Sequence, residues 1–236
     1  MTWSRLGVYY LPPPGPLADL GAALLGWDIV RGVVPPPPTI PGLAEAPDLT
    51  RGAARYGLHA TLKPPFWLRP ESDLAAVTDD LGRLAAQIAP ARADGLRIGA
   101  MGGFVALIPS GDQAGLARVA AAMLRAIDHH RAPPDAAEIA RRRAAGLTAA
   151  EEAHLTRSGY PYVLDWFRLH LTQSPHLPDA DAAQLRDVLT PVFQPLLPAP
   201  FLLDQIALVG EAPGDLRLIA RFPLIGRPVD DERTIT

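Results

Sequence analysis

The chain has 236 residues, 48% hydrophobic and 20% charged, which supports one large core or two smaller ones and excludes disordered, collagen-like and coiled-coil classes. With no cysteine, disulfides, thiolate metal sites, iron–sulfur clusters and cysteine nucleophiles are excluded, and a cytoplasmic location is expected. A net charge of −3 supplies no global attraction for nucleic acid, and no apolar run approaches the ~18 residues that span a bilayer, so neither long nucleic acid nor a membrane is an expected partner.

Arg5 to Leu11 is rich in β-branched and aromatic residues and stops at Pro12-Pro13-Pro14, which predicts a first strand and no signal peptide. Leu17 to Trp27 places apolar residues at helical spacing behind Pro16, a tolerated helix-start residue. Pro35 to Pro47 reads as an extended loop, and Leu58 to Phe66 as a strand ended by Pro64 and Pro65. Ser72 to Ile88 is an amphipathic helix with Ser72 and Asp73 as capping candidates. Leu96 to Ala100 and Phe104 to Ile108 form a hairpin around Met101-Gly102-Gly103, followed by a helix over Gly115 to His129. Between Pro133 and Tyr162 the chain becomes alanine-rich and charged, which predicts two short helices hinged at Gly146. Phe167 to Ser174 is a strand, Ala180 to Val192 a helix, and Gln205 to Val209 and Leu216 to Phe222 are strands around Ala212-Pro213-Gly214.

The order after residue 167 repeats the order after residue 58. Using His59 and His170 as markers, the offset is 170 − 59 = 111, and in each case a helix and a hairpin follow in register within one residue. Such self-similarity predicts two copies of a strand–helix–hairpin unit, and so an α+β fold with two pseudo-symmetric lobes. The lobes are expected at 50–130 and 160–225, with strand 5–11 completing the sheets, a helical insertion at 131–159 and a polar tail at 226–236, all within one bilobal domain of 1–236.

Each copy opens with histidine, any residue, threonine: His59-Ala60-Thr61 and His170-Leu171-Thr172. Residues two apart on a strand share a face, so each histidine projects with its threonine. Continued alternation adds Lys63 to the first face and Arg168 and Ser174 to the second. Tyr9 and Tyr10 alternate, so only one reaches the cleft, and Tyr10 is assigned there as a substrate contact. Serine and threonine make up 16 of 236 residues, so among six histidines fewer than one such triplet is expected; three occur. The third, His154-Leu155-Thr156, lies in a helical context where residues two apart diverge, and it is read as a helix-surface histidine.

Two imidazoles, hydroxyls and cations facing one cleft suit displacement at phosphorus. The reaction needs a base beside the attacking oxygen and an acid beside the leaving one, and histidine serves both roles because its pKa lies near neutrality. The threonine hydroxyls, with Lys63 or Arg168, would hold the non-bridging oxygens. His129-His130 and His176 lack ligand spacing, so neither a metal nor a cofactor is expected.

The paired His-x-Thr strands resemble the 2H phosphoesterase superfamily, and RYGLHATLKPPF (Arg55–Phe66), ARRRAAGLT (Ala140–Thr148), GYPYVLDWFRLHLT (Gly159–Thr172) and VYYLPPPG (Val8–Gly15) resemble its branch encoded beside phosphonate-degradation genes. The resemblance implies two antiparallel sheets flanking a central cleft, helices outside, and metal-independent phosphodiesterase or ligase chemistry. It also places His59, Thr61, His170 and Thr172 in catalytic positions. It extends a site or lid role to Arg141, Arg142 and Arg143, a run that otherwise marks a solvated helix face. The expected substrate is a small phosphate ester, such as a cyclic ribose phosphate. The alternatives are a 2′-5′ RNA ligase or RNA-end processing enzyme, and a non-catalytic nucleotide-binding module.

Overall fold

The computed structural model describes residues 3–43, 57–144, 146–212 and 215–227. Strand β1 (Arg5–Tyr10) and helix α1 (Pro16–Leu25) come first. The first copy then supplies β2 (Ala60–Phe66), α2 (Leu74–Ala85), β3 (Ala91–Ala93), β4 (Gly95–Met101), β5 (Phe104–Ser110) and α3 (Ala114–Ala126). Helices α4 (Ala136–Arg143) and α5 (Ala149–Ser158) form the insertion. The second copy supplies β6 (Leu171–Thr172), α6 (Asp179–Phe193), β7 (Phe201–Leu203), β8 (Gln205–Ala212) and β9 (Asp215–Pro223).

The fold is α+β, and every strand pairing is antiparallel. One sheet runs β2-β1-β8-β9, a second β4-β5-β6, and β3 pairs with β7. The expected lobes at 50–130 and 160–225 are therefore not self-contained. The motif strand of the first copy lies in the sheet holding the hairpin of the second, and the motif strand of the second pairs with the hairpin of the first. Both motif strands sit at sheet edges, and they approach each other across the space between the sheets. An edge is the only place β2 fits, because Pro64 and Pro65 have no N–H to give a second neighbour.

The β3–β7 pair ties the two sheets together. β3 runs into β4 and β7 into β8, and Ala91, Arg92 and Ala93 pair with Leu203, Leu202 and Phe201. The central partners are 202 − 92 = 110 positions apart, close to the histidine offset, so equivalent segments of the two copies pair with each other about the pseudo-twofold axis. Helix α3 packs on β2 and β3, α6 on β4 and β5, and α2 on β8 and β9, leaving the inner faces for the cleft. Val8, Leu81, Leu107, Met123, Phe193 and Ile206 are among the wholly buried core residues, each contributing about 1.5–3 kcal/mol by burial.

Several elements are shorter than their sequence suggests. The helix predicted over 72–88 begins at Leu74, because the Asp73 side chain accepts from the Ala76 N–H and sets the cap. The strand predicted over 167–174 contracts to Leu171–Thr172. Upstream, a 3₁₀ turn occupies Leu164–Trp166. Downstream, the Ser174 hydroxyl rather than a main-chain carbonyl accepts from Val105 N at 2.9 Å, and Pro175 ends the pairing. The two insertion helices form as the sequence predicts. Of the 226–236 tail only 226 and 227 are among the described residues, as are residues 35–43 of the proline-rich loop. No helix among the described residues is long and apolar enough to cross a membrane.

Candidate active site

His59 stands just before β2 and His170 just before β6, and the two rings are anchored alike. His59 Nδ1 lies 3.1 Å from the carbonyl of Gly57, and His170 Nδ1 lies 2.7 Å from that of Arg168, in each case two residues upstream. A carbonyl only accepts, so each contact places the proton on Nδ1 and leaves Nε2 as the ring's basic atom. Gly57 is required for the first contact: its φ is +63°, and an added Cβ would lie 2.8 Å from the Trp27 carbonyl oxygen. An aromatic ring flanks each imidazole. Tyr9 meets His59 edge-on at 4.7 Å between centroids, and Phe104 lies 5.4 Å from His170.

The two histidines line adjoining cavities. The one at His59, about 400 Å³, is also lined by Thr61, Thr172, Arg5, Tyr9, Arg142 and Tyr160. The one at His170, about 770 Å³, is walled by Arg168, Phe104, Tyr162, Trp166 and His176. Thr61, Pro64 and Tyr160 line both, so the cavities form one cleft between the edge strands, polar at one end and aromatic at the other. Burial lowers the His170 pKa from its ordinary value, and the hydrogen bond to the Arg168 carbonyl acts in the opposite direction.

Thr61 and Thr172 take the positions the alternation predicts, Ser174 and Arg168 also border the cleft, and the placements of Lys63 and Tyr10 need correction. Lys63 does not face the cleft: β1 pairs Tyr9 with Thr61 but Val8 with Lys63, and this bulge turns the side chain inward. Its ammonium donates to Asp128 Oδ1 at 2.8 Å and to the Leu124 carbonyl at 3.3 Å, with 2% of the side chain exposed. Burial pushes its pKa down, against the pull of Asp128. Tyr10 packs edge-on against Phe201 and lines a different groove, so of the Tyr9–Tyr10 pair it is Tyr9 that lines the cleft. Ser174 borders the cleft, but its hydroxyl is engaged, accepting from Val105 N and donating to the Pro175 carbonyl. Arg168 lines the cleft while its guanidinium donates to the carbonyls of Asp165 and Phe167.

The cations at the His59 end are arginines. Arg5 pairs with Glu211 at 2.5 Å. Arg142 pairs with Glu138 at 2.9 Å and lies 4.5 Å over the Tyr160 ring. Burial alone would raise the Glu138 carboxyl, but Arg141 and Arg142 hold it below its usual value. The arginine run thus splits: Arg141 and Arg142 line the cleft, and Arg143 ties α4 to Glu152 of α5. His154 lies within α5, as its helical context predicts. The neighbours Arg55 and Tyr56 lie outside the described residues.

These features define an α+β protein with two carbonyl-anchored histidines facing one cleft between antiparallel sheets, the fold that resemblance to the 2H phosphoesterases implies. The chain belongs to the family described as protein of unknown function DUF1045, which matches residues 61–218. It is 37% identical over 182 residues to the ribose 1,5-bisphosphate phosphokinase PhnN of Laribacter hongkongensis, covering 75% of this chain and 41% of that protein. The PhnN protein of Janthinobacterium sp. is 33% identical over 186 residues, covering 76% and 40%. The chain thus spans about two fifths of the length of these curated relatives. Among solved structures it is similar to TT0787 of Thermus thermophilus (TM-score 0.47, 16% identity, 95% of this chain and 100% of that one). It is also similar to E. coli LigT complexed with 3′-AMP (TM-score 0.44, 16% identity, 94% and 99%).

Proposed function

We propose that this protein is a two-histidine phosphoesterase that opens a small cyclic phosphate on a ribose, with His170 as general base and His59 as general acid. The observation that carries this reading is the shared anchoring: two imidazoles immediately before opposite edge strands, each held through Nδ1 by the carbonyl two residues back, border one cleft. His170 Nε2 takes a proton from water as the oxygen adds to phosphorus. The ring P–O bond breaks, and the leaving oxygen takes the proton of the His59 imidazolium, which gives a phosphomonoester and a free hydroxyl. Thr61 and Thr172 donate to the non-bridging oxygens, where charge accumulates, and Arg142 adds positive potential. The base assignment follows from the burial that favours neutral His170.

The substrate class is supported by the relatives' name, since opening a cyclic phosphate on a ribose that carries a second phosphate yields a ribose bisphosphate. Phosphokinase activity is not what this sequence suggests. Its only lysine, Lys63, follows Leu62 rather than glycine, so it contains no Gly-x-x-x-x-Gly-Lys phosphate cradle. The test is turnover, followed by phosphorus NMR, on ribose 1,2-cyclic phosphate 5-phosphate, 2′,3′-cyclic nucleotides and 2′-5′-linked dinucleotides. Opening of the cyclic ribose phosphate, undiminished in EDTA, is expected. Preference for the 2′-5′ linkage would move the reading to RNA-end processing, and no turnover on any of them would leave a binding module.

A further inference from the structure

Away from the cleft, three side chains converge on one point. Asp80 projects from α2, and His129 and His130 from the 3₁₀ turn Asp128–His130 that follows α3. His130 Nε2 lies 2.9 Å and His129 Nε2 3.1 Å from the same oxygen, Asp80 Oδ2, and the three donor atoms all fall within 4.8 Å of one another. Metal–nitrogen and metal–oxygen bonds of ~2.0–2.1 Å place neighbouring donors about 2.9 Å apart around an octahedral ion and about 3.4 Å apart around a tetrahedral one. The two nitrogen–oxygen separations therefore match the edge of a coordination polyhedron.

The surrounding groups orient these donors. His130 Nδ1 lies 3.0 Å from Ser72 Oγ, which can accept its N–H and turn Nε2 inward as a ligand. Arg83 donates to Asp80 Oδ1 and leaves Oδ2 for the two imidazoles. His130 is 5% exposed at its side chain and His129 59%, so the cluster is closed on one side and open to water on the other. Neither Asp80 nor these histidines line the cavities at His59 and His170.

We propose that Asp80, His129 and His130 form a binding site for a divalent transition-metal ion of the zinc, cobalt or nickel type, separate from the catalytic cleft. Two imidazole nitrogens and one carboxylate oxygen suit that class over magnesium or calcium, which prefer all-oxygen sites. The ion would clasp α2 to the turn after α3, and water would complete its coordination on the His129 side. Sequence spacing conceals the site, because the carboxylate comes from a helix 50 positions before His130.

The experiment is calorimetric titration of the whole EDTA-treated chain with Zn²⁺ and Co²⁺, together with melting temperatures with and without each ion. One equivalent is expected to bind saturably and to raise the melting temperature. His129→Ala, at an exposed position, and the near-isosteric Asp80→Asn should each weaken binding about 10- to 100-fold. His170→Ala should bind as the wild type does, which separates this site from the cleft histidines. Absence of saturable binding, or binding unchanged in both His129→Ala and Asp80→Asn, would overturn the proposal.

Discussion

Each catalytic histidine candidate makes the same orienting contact, and under the proposed function the burial of His170 makes it the base of the pair. Burial lowers the pKa of His170, so on acidification the base stays neutral below the ~6.5 of an unperturbed imidazole and is lost as pH falls through its own lower pKa. The acid limb of kcat/KM should therefore lie below ~6.5 and vanish in His170→Ala. Both His59→Ala and His170→Ala should lower turnover by about 10²- to 10⁴-fold. A substrate with a good leaving group needs little acid assistance, so it should restore much of the rate to His59→Ala and little to His170→Ala. Profiles of kcat/KM against pH for the three proteins on two leaving groups check this. Equal rescue of both variants would reverse or remove the assignment.

The bulge in β2 separates what the strand presents to the cleft from what it presents to the core. Lys63 is a buried cation paired with Asp128, which also receives the Arg131 guanidinium at 2.8 and 3.0 Å. Removing one member of a buried pair costs about 3–5 kcal/mol when the other is left without a counter-charge; Asp128→Ala strands the Lys63 ammonium, whereas in Lys63→Met the Asp128 carboxylate keeps Arg131. Asp128→Ala should accordingly destabilise the protein much more than Lys63→Met in urea unfolding, and Lys63→Met should retain near-wild-type kcat/KM; a large loss of activity there would return Lys63 to the cleft. The same bulge shows where sequence stops being a guide. His59, Thr61, His170 and Thr172 were legible because two residues on a strand stay in phase over so short a step. Lys63 lies beyond the register shift, and alternation carries no sign of it. Whether Tyr9 or Tyr10 faces the cleft depends on which side of β1 the second sheet packs, a long-range fact. Arg142 could be flagged only as part of a charge run, since its place over Tyr160 requires the insertion to fold back across the cleft.

The periodic pattern revealed two copies but not that they exchange strands, because hydrogen-bonding partners 100 or more positions apart leave no local trace. That exchange governs how the molecule must unfold. The sheet holding β2 is completed by β8 and β9, the β4–β5 hairpin is extended by β6, and β3 with β7 seals the junction. Neither copy can keep its own sheet intact while the other unfolds, so the barrier to losing one includes much of the structure of both, and the chain should behave as one cooperative unit despite its internal repeat. Tryptophan offers a probe on each side: Trp27 donates to the Leu216 carbonyl beside β9, and Trp166 lines the cleft next to β6. In urea, tryptophan fluorescence and far-ultraviolet circular dichroism should give coincident transitions with one midpoint. Fragments 1–132 and 133–236 should each lack native near-ultraviolet dichroism alone and regain it only when mixed. Two resolved transitions, or a fragment that folds by itself, would mean that the exchanged strands contribute little to holding the halves together.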